Sequence, residues 1–194
     1  MAEPAPPSYH HGDLPATLVR SAIEMLDEDG DVELSLRAVA RRAGVSSAAP
    51  YRHFPDRIAL LSAIAAVGYR ELMTGLALKH PEPSSAADLA DLAVAYVDFA
   101  LSRPGLFRVM FTEGCDRTSP DRVAAVEAIH AYLGAAVERT TDTDDPAAVA
   151  TGLWSLVHGL AFLHLDGKLD ADSRTAVAER VRATVTAVLA AHVR

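Results

Sequence analysis

An all-α fold of about nine helices is the prediction for this chain, and three observations make it. Half of the 194 residues are hydrophobic, aromatics are only 6%, and alanine is abundant. No run of alternating β-branched residues suggests a strand, and the alanine-rich composition favours helices. Apolar residues return at spacings of three and four along most of the sequence, the period of one buried helical face. Capping residues, glycines and prolines fall between those stretches and punctuate them. The length suits one compact unit or two small ones with a real core.

The elements follow in order. Asp13 is placed to cap a helix from Leu14 to about Asp29, with Leu18, Ala22, Met25 and Leu26 inward and Gly30 at its end. Ser35 caps a second helix whose stripe is Leu36, Val39, Ala40 and Ala43. Gly44 follows, where a left-handed conformation is cheap only for glycine. Val45 plugs the angle before a third helix, capped by Ser46 and running to about His53, with Pro50 in its first turn. Ala49 and Phe54 are expected inside, and Ser47, Ala48, Tyr51 and Arg52 outside. Two helices joined at a steep angle by a short glycine turn form a helix-turn-helix, whose second helix enters the major groove of DNA.

Pro55 and Asp56 open a long helix from Arg57 to about Lys79. A linker with Pro81, Pro83, Ser84 and Ser85 precedes a helix from Ala86 to Ser102. Arg103, Pro104 and Gly105 break it before a short apolar piece, Leu106 to Thr112. A polar loop from Glu113 to Pro120 leads to a helix from Asp121 to Thr140, and the run TTDTDDP forms a second loop. Two last helices, Ala147 to Leu165 and Ser173 to His192, are split by Asp166, Gly167 and Lys168. The first of these is apolar almost all round, so it is expected to be buried on more than one side. The second carries Val177, Val181, Val185, Val188 and Leu189 on one stripe, with Ala183, Ala187, Ala190 and Ala191 beside it. Both helices could complete a monomeric core or pair with a second copy.

Charge singles out one segment. The chain has a formal net charge of −8, yet Ser35 to Arg57 holds five arginines (Arg37, Arg41, Arg42, Arg52, Arg57) against one acid, Asp56. This stretch therefore carries +4 and the remainder −12. A basic island on an acidic chain points to phosphate contact.

The strings HHGDL (His10 to Leu14) and LRAVARRAGVSSAAPYRHFPDRIALL (Leu36 to Leu61) closely resemble the N-terminal DNA-binding domain of the TetR/AcrR family of bacterial repressors. LWSLVHGLAFLHLDGKL (Leu153 to Leu169) is similar to the Trp-His-Gly segment of one branch of that family, here Trp154, His158 and Gly159. The resemblance implies a flexible N-terminal arm over residues 1–12, a DNA-binding domain over 13–56, and a ligand-binding and dimerisation domain over 57–194. It implies a homodimer, with the last two helices pairing with their copies as a four-helix bundle, on a palindromic double-stranded operator. Two reading units a helical turn or more apart suit a palindrome.

In that frame Tyr51 and His53 sit against the DNA backbone, and Arg57 stands where relatives commonly place a phosphate-binding lysine. Ser35 and Arg37 open the preceding helix at an anion-favouring N-terminus. Ser46, Ser47, Ala48 and Arg52 are candidates for base contact, and only Arg52 can form a bidentate pair with guanine. His10 and His11 either reach the backbone or belong to a polar tail.

The resemblance also implies a small-molecule effector inside the C-terminal helices that shifts the long linking helix. Candidate lining residues are Tyr69, Met73, Tyr96, Phe99, Phe107, Met110, Phe111, Trp154, His158 and Phe162. Plain core is the competing role for each of them. A lining of that kind, with few charges, suits an apolar or aromatic ligand. His158 is placed to donate either to a ligand or to a nearby backbone carbonyl.

Other classes find no footing in the sequence. The eight histidines are scattered, with no HExxH, no glycine-rich phosphate loop after a strand and no Gly-x-Ser-x-Gly. No enzyme, cofactor or metal is expected. Single Cys115 excludes an internal disulfide and fits a reducing cytoplasm. The proline-rich start is not a signal peptide, and no uninterrupted apolar stretch is read as a membrane span. The expected function is a ligand-responsive transcriptional repressor; the alternative is a DNA-architectural protein without a ligand.

Overall fold

The computed structural model describes residues 13–30, 33–111 and 114–191. Among them it contains eight α-helices, one 3₁₀ turn and no strand. The helices are α1 (Leu14–Glu28), α2 (Leu36–Arg42), α3 (Arg57–Lys79), α4 (Ala86–Ser102), α5 (Pro104–Phe111), α6 (Pro120–Thr140), α7 (Pro146–Leu165) and α8 (Arg174–Ala191). The expected arm, with His10 and His11, lies outside the described residues, as do Thr112 and His192.

Caps set most of the starts. The Asp13 carboxylate accepts from Ala16 N (3.2 Å), the Ser35 hydroxyl from Ala38 N (3.2 Å) and the Asp56 carboxylate from Ala59 N (2.8 Å). Ser85 and Asp88 form a reciprocal capping box at α4. Asp145 and Ser173 accept from Ala148 N (3.0 Å) and Ala176 N (3.2 Å) at α7 and α8. Gly44 sits at φ 70° just after α2, the left-handed geometry that ends this helix.

The third expected helix is corrected. Between Ser46 and Phe54 the backbone forms only a 3₁₀ turn, Pro50–Arg52. Ala49 N donates to Ser46 O (3.0 Å) and His53 N to Pro50 O (2.9 Å), bonds that span three residues. Pro50 has no N–H to give Ser46 O, so the four-residue ladder has no rung where it must begin. Ala49, and not Ser46, sits at the cap position of the turn, with no side-chain cap, and Ser46 takes part through its carbonyl, which accepts from Ala49 N.

A first bundle forms from α1, α2, the 3₁₀ turn and the start of α3, and α3 then runs on to pack against α5 and α6. α4 packs against α8 and α7 on the other side. One hydrophobic core joins both regions, from Leu18 and Val39 through Leu60, Ile64 and Leu72 to Phe107, Met110 and Val97. Each such side chain stabilises by about 1.5–3 kcal/mol when fully buried.

Two helices, α3 and α7, are long and apolar enough by length and composition to cross a membrane, against the expectation from sequence. Half of that window of α3 is buried in the core, whereas only 22% is buried in α7. The outer face of α7 presents Ala148, Gly152, Ser155, Gly159 and Leu163, the last 43% exposed. α8 turns Ala176, Ala183, Ala187 and Ala190 outward.

Candidate functional site

The outer face of the helix-turn-helix is built by α2 and the 3₁₀ turn. Ser35, Arg37, Ser46, Ser47, Ala48, Tyr51, Arg52 and His53 are all exposed, and Tyr51 keeps 48% of its surface open. Pro50 and Phe54 anchor the turn from below, both buried, which leaves Tyr51 and Arg52 no inward route. Arg37, Arg41 and Arg52 form no ion pair among the described residues.

Two of the five arginines behave otherwise. Arg42 holds Glu28 through both guanidinium nitrogens (2.7 and 2.5 Å) and lies 3.6 Å from Glu24. This hydrogen-bonded contact draws the Glu28 carboxyl below its usual range. Arg57 is half-buried and donates Nε to Leu34 O (2.8 Å), tying the start of α3 to the segment before α2. Arg42 thus fastens α2 to α1, and Arg57 serves the frame first. Arg37→Ala is expected to weaken DNA binding on every sequence and lower the salt slope by about one, while Arg42→Ala leaves that slope unchanged. Fluorescence anisotropy across a salt series measures both.

The second feature is a cavity of about 480 Å³ among α3, α4, α5, α6, α7 and residues 114–117 after α5. Five expected residues line it: Tyr69, Tyr96, Met110, Phe111 and Trp154. Gly114, Cys115, Arg117, Arg122, Val126, Ile129, His130 and Leu133 complete the wall. A smaller apolar cavity of about 60 Å³ shares Tyr96, Leu133 and Trp154.

The other five candidates lie off this wall. Phe107 is fully buried core, with ring contacts to Tyr96, Phe111 and Phe162. Phe162 packs against His158 (4.9 Å between centroids). Met73 and Phe99 are half-buried against the core. The Nδ1 of His158 shares a 2.9 Å hydrogen bond with the Tyr96 hydroxyl. Phe111, Phe162, Trp154 and Phe107 surround the His158 ring at 4.6 to 5.9 Å. Burial pushes the His158 imidazole down and the Tyr96 phenol up, so a Tyr96 hydroxyl donating to a neutral ring fits both.

Expected as nearly uncharged, the wall instead carries two arginines. Arg122, Val126, Ile129 and Leu133 follow one stripe of α6, so a lone arginine inside an apolar stripe was the signal available in the sequence.

α5 connects this cavity to the helix-turn-helix. Its last turn supplies Met110 and Phe111 to the wall. At its other end Gly105 lies against the end of α1, where an added Cβ would meet Leu26 O at 2.8 Å and Gly30 Cα at 3.0 Å. Gly105 therefore permits the close crossing; Gly30 is not a left-handed cap, and α1 ends at Glu28, with Asp29 extended. Arg103, just before α5, bonds Asp27 of α1 (2.7 Å) and Glu71 of α3 (2.9 Å).

A helix-turn-helix with an exposed cationic face, carried on a larger helical body, defines a DNA-binding transcriptional regulator. The family model for bacterial regulatory proteins of the tetR family matches residues 18–64, and the tetracyclin repressor-like C-terminal domain matches residues 89–191. The chain belongs to the TetR family. It is 34% identical to a solved protein of unknown function from Rhodococcus sp. RHA1, covering 95% of this chain and 100% of that one with a TM-score of 0.78. It is 26% identical over 147 residues to the uncharacterized HTH-type transcriptional regulator YobS of Bacillus subtilis (strain 168), covering 75% of this chain and 76% of that protein. The transcriptional regulator FadR from Bacillus subtilis, solved in complex with stearoyl-CoA, shares the fold at 13% identity and a TM-score of 0.69, over 88% of this chain and 97% of that one.

Proposed function

We propose that this protein is a ligand-responsive repressor, cytoplasmic, that binds a palindromic operator as a homodimer and leaves it when a small molecule fills the cavity. The division at residues 13–56 and 57–194 belongs to this reading. The observation that carries the DNA half is the outward presentation of Arg37, Arg41, Tyr51 and Arg52 on a chain of net charge −8. Ser35, Arg37, Tyr51 and His53 are assigned to phosphates, and Ser46, Ser47, Ala48 and Arg52 to base edges. Arg57 supports them from behind through Leu34 O.

The sensing half rests on the cavity. About 480 Å³ suits a drug-sized molecule, and a void of that size supports a sensor over an architectural protein without a ligand. α5 touches both the cavity and α1, so an occupant that moves Met110 and Phe111 alters the seat of the helix-turn-helix. Release then requires that the ligand bind one arrangement of α5 better than the other.

The dimer reading draws on α7 and α8. A second copy laid on the small-residue faces of both would cover the apolar surface that α7 leaves open. An electrophoretic shift on the DNA upstream of its own gene tests the whole reading. A shifted band that a metabolite extract reverses supports it; no shift at low salt overturns it.

A further inference from the structure

We propose that the effector is an amphipathic anion whose charged group docks on Arg122 at the first turn of α6, an inference that rests on the cavity being the effector site. Among the described residues the cavity wall contains Arg117 and Arg122 and no carboxylate side chain, on a chain where acids outnumber Lys and Arg by 26 to 18. Arg122 Nε is buried and has no hydrogen-bond partner. No carboxylate among the described residues forms an ion pair with this guanidinium. The nearby acid, Asp116, turns its carboxylate to Thr118 N (2.8 Å) and Thr118 Oγ1 (2.7 Å).

A guanidinium in an apolar wall with no carboxylate partner among the described residues favours an anion, and a carboxylate's two oxygens can accept from its outer nitrogens. The guanidinium is held ready: its carbon lies 5.8 Å from the centroid of the Tyr69 ring, and the Tyr69 hydroxyl is fixed on Met110 O (3.1 Å). Arg117, exposed at the edge, adds attraction for an incoming anion. The remaining wall decides the body of the ligand. Tyr96, Leu133 and Trp154 also border the small apolar cavity, so that side of the site is apolar and suits hydrocarbon or an aromatic ring.

Trp154 is the single tryptophan and stands in this wall, so its fluorescence reports occupancy. The probes are 4-phenylbutyrate and 4-phenyl-1-butanol, alike in shape and different in charge, titrated into the full chain with excitation at the red edge of the indole band. The acid is expected to bind about tenfold or more tighter than the alcohol. Arg122→Met should erase that difference while keeping the alcohol's affinity, and Arg122→Lys should retain part of it. The acid's affinity should also fall with added salt and the alcohol's should not, which decides the matter even if Arg122→Met fails to fold. Equal binding of acid and alcohol to the unaltered protein overturns the anion preference and leaves the cavity as effector site. Binding of neither overturns the cavity reading and the preference together.

Discussion

Gly105→Val should lower stability by about 2–3 kcal/mol and the melting temperature by roughly 5–10 °C. The position has no room: a Cβ would stand 2.8 Å from Leu26 O, 3.0 Å from Gly30 Cα and 3.1 Å from Gly30 O. All three are backbone atoms, so no rotamer change relieves the contact, and α5 must back away from α1. Arg103 resists that motion through Asp27 and Glu71. Contrast Gly68, whose added Cβ would meet the flexible end of Met110 first; Gly68→Ala should cost less because the thioether can swing. Thermal unfolding of the two variants side by side is the measurement. An unchanged melting temperature for Gly105→Val would show that α1 and α5 part freely, and the coupling drawn through them would fail. The same variant should alter operator affinity without touching any residue on the DNA face.

Gly152→Arg should leave a folded monomer and reduce operator affinity by roughly 100-fold or more. The site is open: an added Cβ meets nothing within 4 Å, as at Gly159. Arginine is also a better helix former than glycine, by roughly 0.8 kcal/mol, so the isolated chain should gain stability. On the proposed dimer, what it loses is the close approach of a second copy across the small-residue face of α7. Sedimentation velocity gives the mass, and anisotropy on an intact operator and a half-site gives the affinities. A variant that remains dimeric would place the partner surface elsewhere.

Much of the fold was legible because local chemistry decided it. Asp13, Ser35 and Asp56 cap the helices whose starts they mark, and Gly44 takes the left-handed turn assigned to it. Three helices begin earlier than the sequence pattern predicts: α5, α6 and α7 start at Pro104, Pro120 and Pro146 and not at Leu106, Asp121 and Ala147. Proline reads as a breaker, yet its fixed φ and missing N–H suit the first helical position. The 3₁₀ turn at Pro50 is the same property with the opposite outcome, since there the chain needed the ladder to continue.

The site was harder. Helical spacing brings Tyr96, Phe107, Phe111 and Phe162 inward alike, but cannot tell a side chain that fills the core from one that borders a void. The pairing of Arg42 with Glu24 and Glu28 crosses from α2 to α1, and nothing along the chain announces it. The apolar stripe around Arg122 is a weak signal, because a lone arginine on a helix is ordinarily a solvated one.

The brevity of the 3₁₀ turn has a consequence for how operators are ranked. Its open face offers hydroxyls, a methyl group, a phenol and one guanidinium, so few base edges can be told apart by contact. On the proposed base-contact assignment, discrimination should fall to the mechanics of the duplex: groove width, the stiffness of A-tracts and the ease of bending at pyrimidine–purine steps. Operators selected from a random pool should then agree less in the letters under the turn than in the flexibility of the spacer between half-sites.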